Sequence, residues 1–277
     1  TAYEIPKRDW SSDVCSSDLS LVADHYAYLA IIPVAAVLAA ALSRSSMPVQ
    51  SSVAALVLTA CAVLSWRQAA LYVDAETMYR QTLTVNPDAF VIRANYGVLL
   101  LNRSPEEAIE QFRAAQRADP GAPESYDYLC RALTRVGRAR EALPECREAV
   151  RRTPDLATAR ANFGIALLSL DQYAQAQEQL EYAVRLRTDN TEAHLALAEA
   201  HLGLADQRMS DGAVDDAIPH YLAAIAANPR SAEAHNNYGV ALARQGKVNA
   251  AVDQFRAALQ IDPAMRDAQA NLDRIRR

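Results

Sequence analysis

The chain has 277 residues, 51% of them apolar and 22% charged, with a formal net charge of −5. That balance excludes a disordered acidic tail, and 28 cations against 33 anions exclude a basic nucleic-acid-binding domain. Alanine supplies 56 residues, glycine only 8, and arginine outnumbers lysine 26 to 2, the usage of an Ala-rich helical chain from a GC-rich, bacterial genome. Runs of Val, Ile and Thr bounded by turn signals are scarce, so an all-β or α/β fold is not expected.

The chain begins at Thr1 rather than Met, so its natural start is expected to be missing. Residues 9–19 read DWSSDVCSSDL, a string without periodicity. It resembles, codon by codon, the forward translation of a common short-read library adapter; residues 1–19, Cys15 included, are therefore set aside as artefact. A genuine polar linker is the alternative. Two uncharged runs follow, Tyr26 to Leu42 and Val49 to Trp66, joined by the loop SRSSMP. At about 1.5 Å per residue each is at the short end of what crosses roughly 30 Å of hydrocarbon, and residues 20–68 are expected to form a transmembrane helical hairpin. Tyr26, Tyr28 and Trp66 stand at its outer ends, where amphipathic rings favour the interface. Neither run has the polar face that the alternative, a buried hairpin of a soluble solenoid, would need.

Beyond residue 69 one pattern recurs. Ala75, Ala108, Ala142, Ala176, Ala217 and Ala251 are spaced by 33, 34, 34, 41 and 34 residues. Pro87, Pro120, Pro154, Pro229 and Pro263 each fall twelve residues after one of them, and Thr188 stands in the sixth such place. A larger residue sits four after each alanine: Tyr79, Phe112, Cys146, Leu180, Tyr221 and Phe255. Upstream come large-then-small pairs, Tyr96-Gly97, Leu129-Cys130, Phe163-Gly164, Leu197-Ala198 and Tyr238-Gly239. Small residues let two antiparallel helices approach, the large one fills the gap, and proline ends the second helix. This 34-residue register resembles the tetratricopeptide repeat family over residues 69–277. The resemblance implies an all-α, right-handed superhelix, an α-solenoid that follows the hairpin. It divides into a half repeat at 69–89, repeats from about 90, 123, 157, 191 and 232, and a capping helix at 265–277 that covers the last apolar face. Repeat one is a residue short at Asn102 to Pro105. Repeat four is seven residues long, with ADQRMSDGAVDD at 205–216, so that its first helix or the following turn is extended.

Asn95, Asn162 and Asn237 occupy one position in three repeats, and Asn271 occupies it in the capping helix; Tyr128 and Ala196 interrupt the series. In the repeat array of O-linked N-acetylglucosamine transferases, which this array resembles here, that asparagine lines the inner groove and grips peptide backbone amides. A side-chain amide offers both donor and acceptor for that purpose. The alternative is a hydrogen bond within the asparagine's own repeat. Arg131 and Arg135, one turn apart, are candidates for holding an acidic group, although exposed arginines are usually only solvated. A chaperone-tail clamp is not expected, because the inward positions offer Arg131, Arg135 and Arg244 but no lysine.

No catalytic constellation, cofactor motif or metal site is expected: the histidines lack ligand spacing, and there is no phosphate loop or Cys-x-x-Cys pair. Cys130 and Cys146 sit at packing positions of one repeat, where both small core residues and, in an oxidising compartment, a disulfide remain open readings.

Residues 23–29, ADHYAYL, resemble the segment that precedes the last spans of the transmembrane and tetratricopeptide O-mannosyltransferase-like proteins and their bacterial relatives. Asn86-Pro87 closes the half repeat as in that family, while His25 and Ala30 depart from its pattern. The resemblance implies the non-catalytic C-terminal part of a membrane glycosyltransferase, its catalytic carboxylates lying upstream of this chain. The array would then sit on the periplasmic side of a bacterial inner membrane and bind protein or peptide partners, with residues 26–66 in the membrane. The alternative is a stand-alone assembly factor for secretion or envelope polymers.

Overall fold

In the computed structural model, the structure describes residues 74–275, together with 52, 55–57, 59–61 and 63 as helix. The chain divides into two compact units, Thr1–Pro87 and Asp88–Arg277. The adapter-like string and the first uncharged run lie outside the described residues, as does much of the second run. Among the described residues no helix is long and apolar enough to cross a membrane. The transmembrane hairpin expected at 26–42 and 49–66 therefore has no support from the described helices.

In the first unit, α1 (Ala75–Val85) starts at Asp74, whose side chain accepts from the Thr77 backbone N–H at 2.8 Å. Such a cap satisfies one of the four N–H groups that a helix start leaves unpaired. Helix α1 buries Tyr79 and leaves Ala75 exposed.

The second unit is a stack of antiparallel helix pairs. First helices α2 (Phe90–Leu100), α4 (Pro123–Arg135), α6 (Ala157–Leu168), α8 (Thr191–Ser210) and α10 (Ala232–Arg244) alternate with second helices α3 (Pro105–Ala118), α5 (Ala139–Arg152), α7 (Tyr173–Leu186), α9 (Val214–Ala227) and α11 (Val248–Ile261). Helix α12 (Arg266–Ile275) closes the stack against α11. The periodic alanines explain the close pairing: Ala108, Ala142, Ala176, Ala217 and Ala251 are all 0% exposed, and the residues four further on are at most 1% exposed. On the facing helix the small partner is obligatory. A Cβ on Gly97, Gly164 or Gly239 would stand 2.4, 2.4 and 2.7 Å from Phe112, Leu180 and Phe255.

Repeat two solves the same contact differently. Cys130 on α4 and Cys146 on α5 occupy the glycine and large-residue places, and they are joined by a disulfide with Cα atoms 4.8 Å apart. A covalent bond thus replaces the glycine-against-ring contact of repeats one and five.

Turns and helix ends repeat as faithfully. After α4, α8 and α10 the chain turns through a left-handed glycine, Gly137, Gly212 or Gly246; after α6, Asp171 takes that conformation at φ 57°. Each closes the preceding helix by two backbone bonds, as in Gly137 N–H to Thr134 C=O and Arg138 N–H to Leu133 C=O. The shortened turn of repeat one lacks a left-handed residue. The second helices end on extended residues: Asp119, Thr153 and Asp262 precede proline, which disfavours helical backbone before it. Arg187 adopts the same form, φ −143° and ψ 95°, although Thr188 follows it, so the helix end does not require a proline there.

A side chain of the next first helix then reaches back to the residue in the proline place. The Tyr126 hydroxyl bonds the Pro120 carbonyl at 3.1 Å, Arg160 Nε the Pro154 carbonyl at 3.0 Å and His194 Nε2 the Thr188 carbonyl at 3.0 Å. These bonds satisfy carbonyls that the helix ends leave open and tie each repeat to its neighbour.

Candidate functional site

Successive first helices touch one another, α4 with α6, α6 with α8, and more lightly α2 with α4, α8 with α10 and α10 with α12; second helices make no comparable contact among themselves. The first helices therefore converge and form the inner face of the unit. The seven extra residues of repeat four lengthen α8 to 20 residues, so the extension is helical and lies on this face.

The sequence-predicted asparagines are on first helices, but their amides are directed into the stack. Asn162 Nδ2 donates to Asp127 Oδ1 at 2.8 Å, and Asn271 Nδ2 donates to Asn236 Oδ1 at 3.0 Å. Asn237 Nδ2 donates to both Asp206 oxygens, at 3.2 and 3.3 Å. In each case the partner belongs to the preceding repeat, neither to a peptide nor to the asparagine's own repeat. A carboxylate only accepts, so Asn162 and Asn237 must present their N–H2 groups to it. Asn236 Nδ2 donates in turn to Asn237 Oδ1 at 3.0 Å, and the Tyr221 hydroxyl donates to Asp206 Oδ1 at 2.6 Å. A continuous chain of hydrogen bonds thus runs from Asn271 on α12 through α10 to Asp206 on α8. It leaves Asn237 little capacity for a ligand, whereas Asn162 turns its carbonyl oxygen away from Asp127. Asn95 is half-buried on α2.

Burial pushes the Asp127 carboxyl above its usual range, opposed by the Asn162 bond and the positive charge of Arg131 and reinforced by Glu124. Arg131 and Arg135 are exposed on α4. Arg131 therefore has a structural counter-charge close by, which sequence spacing alone did not indicate.

Two concavities flank α8. One of about 280 Å3 lies between α6 and α8, lined by Ile165, Leu168 and Ser169 on one side and by Glu192, Leu195 and Glu199 on the other. The second, about 490 Å3, lies further along α8 beside Tyr173, Gly203, Asp206 and Asp211. Tyr173 packs where a Gly203 Cβ would stand 2.4 Å from its ring. Its hydroxyl bonds Asp171 at 2.7 Å. That bond first, then burial and the charges of Asp171, Glu199 and Asp206, push the phenol up to about 12. Glu192, Glu199 and Asp206 recur every seven residues in the sequence, a spacing that places them along one side of a helix.

The described histidines form no ligand set. His194 bonds the Thr188 carbonyl, whereas His201 Nδ1 lies 3.4 Å from His220 Nδ1, linking α8 to α9. Burial lowers both pKa values; the charge of His220 adds to it at His201, opposed by Glu181, and the charge of Arg208 adds to it at His220. Among the described residues no three His, Cys, Asp or Glu side chains converge as a metal site.

A stack of helix pairs with a continuous face of first helices, concave and partly apolar, defines an α-solenoid of the protein-interaction type. The chain belongs to the tetratricopeptide repeat family: a model of that repeat matches residues 67–123, 161–206 and 202–266, more than half of the chain. Three solved structures have the same fold. YrrB, described as a TPR protein with an unusual peptide-binding site, is 23% identical with a TM-score of 0.56, covering 69% of this chain and 96% of its own. A MamA structure is 23% identical with a TM-score of 0.51, covering 63% and 92%. MamA from Desulfovibrio magneticus RS-1 is 21% identical with a TM-score of 0.50, covering 70% and 98%. No curated protein matches the sequence.

Proposed function

We propose that the chain is a repeat scaffold that holds a peptide segment of a partner protein along its first helices, as the non-catalytic C-terminal part of a membrane glycosyltransferase-like protein. One observation carries the binding reading: the inner face keeps a groove between α6 and α8 whose apolar floor includes Leu195, 48% exposed. Tetratricopeptide repeats generally bind protein or peptide partners, and the similar YrrB structure is described by its peptide-binding site. Outside the lining of that groove but on the same face, Asn162 on α6 offers a carbonyl acceptor, and Arg131 and Arg135 lie on α4. Asn95 belongs to the same face; Asn237 and Asn271 contribute by holding successive first helices in register.

The glycosyltransferase context rests on ADHYAYL and Asn86-Pro87, the membrane anchor on the two uncharged runs, and the exclusion of residues 9–19 on their likeness to a translated adapter. A periplasmic array in a bacterial inner membrane accords with the Cys130–Cys146 bond, since disulfides persist in oxidising compartments. Panning a displayed library of linear peptides on the full chain tests the binding reading. Selected peptides are expected to lose binding to Ser169→Trp, which fills the groove, and to keep binding to Leu222→Trp on α9. Equal binding to both variants would overturn it.

A further inference from the structure

We infer that the groove between α6 and α8 takes a basic amphipathic segment, with an apolar side chain seated on Leu168 and Leu195 and lysine or arginine reaching Glu192 and Glu199. The inference rests on the peptide-binding reading above and adds the chemistry of the ligand.

Glu192, Glu199 and Asp206 follow one another at seven-residue intervals on α8. Seven residues are nearly two helical turns, drifting only about 20°, so the three carboxylates share one stripe. Between Thr191 and Asp216 there are six acidic residues and one basic residue, Arg208. Among the described residues, no basic side chain lies within ion-pair distance of an α8 carboxylate. The ion pairs seen in the second unit lie on second helices and turns: Arg113 and Arg138 with Glu141, Arg151 and Arg152 with Glu148, Arg187 with Asp189, and Arg256 with Asp253. Among the described residues the ion pairs of this unit thus fall outside α8, and its carboxylate stripe has no basic partner within the chain.

The stripe borders an apolar floor. A single exposed leucine is ordinary on a protein surface, but Leu195 lies in a concavity with Ile165 and Leu168, between exposed Glu192 and Glu199. The negative potential continues along α8, because Glu199 and Asp206 both act on the Tyr173 hydroxyl in the neighbouring concavity. Asp206 acts there through its charge alone, since its oxygens already accept from Tyr221 and Asn237. A concave surface lined by one sign of charge concentrates its field and draws the opposite charge towards it. An acidic segment would be repelled, and a neutral apolar one would gain only the floor.

Titration calorimetry of the full chain with designed peptides of about 14 residues tests this, using leucine with lysine, leucine with serine, leucine with glutamate, and lysine with serine alone. The Lys–Leu peptide is expected to bind about tenfold tighter than the Ser–Leu peptide, and to weaken as salt rises from about 50 to about 300 mM. The Glu192→Gln, Glu199→Gln, Asp211→Asn triple variant, at exposed positions, should lose that advantage. Equal binding of Ser–Leu and Lys–Leu peptides, both blocked by Ser169→Trp, would overturn the basic preference and leave the groove reading intact. Equal binding of the Lys–Ser peptide would overturn it as diffuse attraction. Absence of binding by every peptide would remove the inference together with the groove.

Discussion

Replacing Cys130 and Cys146 together by alanine is expected to lower the unfolding free energy by roughly 3 kcal/mol, the loop-closure contribution of a disulfide that spans about 15 residues. The cysteines are 16 apart and fully buried between α4 and α5, in the place where repeats one, three and five use glycine against a large side chain. Cutting the bond therefore removes a crosslink and also leaves a contact too small to fill its space. Urea denaturation of the oxidised chain, the reduced chain and the double variant should give midpoints that fall in the last two. The Cys130→Gly, Cys146→Phe variant copies the pairs Gly97 with Phe112 and Gly239 with Phe255, and should recover part of the loss without a covalent bond. An unchanged midpoint on reduction would contradict this account of the contact.

Gly164→Ala is expected to destabilise the unit by about 1 kcal/mol or more, although alanine is the better helix former. Alanine gains up to about 1 kcal/mol of helix propensity over glycine. Against that, the new methyl would stand 2.4 Å from Leu180 Cγ, and overpacking a close-packed core costs about 1–3 kcal/mol. Because the clash involves the branch point of Leu180, rotation of a flexible tip does not relieve it. The cost should therefore depend on Leu180: in a double-mutant cycle with Leu180→Ala, the Gly164→Ala penalty should shrink or vanish. Gly137→Ala provides the contrast. It meets nothing within 4 Å, but φ is +77°, so its cost of about 1–2 kcal/mol arises from the backbone and no neighbouring substitution should relieve it. Equal penalties for Gly164→Ala with and without Leu180 would place the glycine's role in the backbone instead.

The repeat register was legible because packing imposes it residue by residue. Ala108 and its counterparts, with the small residues that face them, let each pair close, and Phe112 and its counterparts fill the gap, so spacing alone exposed the helix pairs. Thr188 shows where this ended, since the helix stops at Arg187 without the proline that marks the other ends. The acidic stretch at 205–216 was ambiguous because ADQRMS contains no helix breaker before Gly212; in the fold the first helix runs through it to Ser210. The asparagine chain was less legible still. Its bonds between repeats join side chains 31 to 35 residues apart, and only the stacking of successive first helices brings Asn237 to Asp206 and Asn162 to Asp127. Shared position in the repeat identified the asparagines; it did not identify which group each would bond. Likewise, the two cysteines were visible as packing residues, while their pairing depends on the closeness of α4 and α5.

The central claim is that a partner lies along the first helices and not on the outer ones. Leu195 on α8 and Leu222 on α9 are each 48% exposed, so a photo-crosslinking side chain placed at either has the same access to solvent and differs only in the face it occupies. Irradiation of cells carrying the full chain with benzoylphenylalanine at one position or the other measures which face is occupied. The account predicts a discrete protein adduct from position 195 that Ser169→Trp abolishes, and none from position 222; adducts of equal yield at both positions, or at 222 alone, would contradict it.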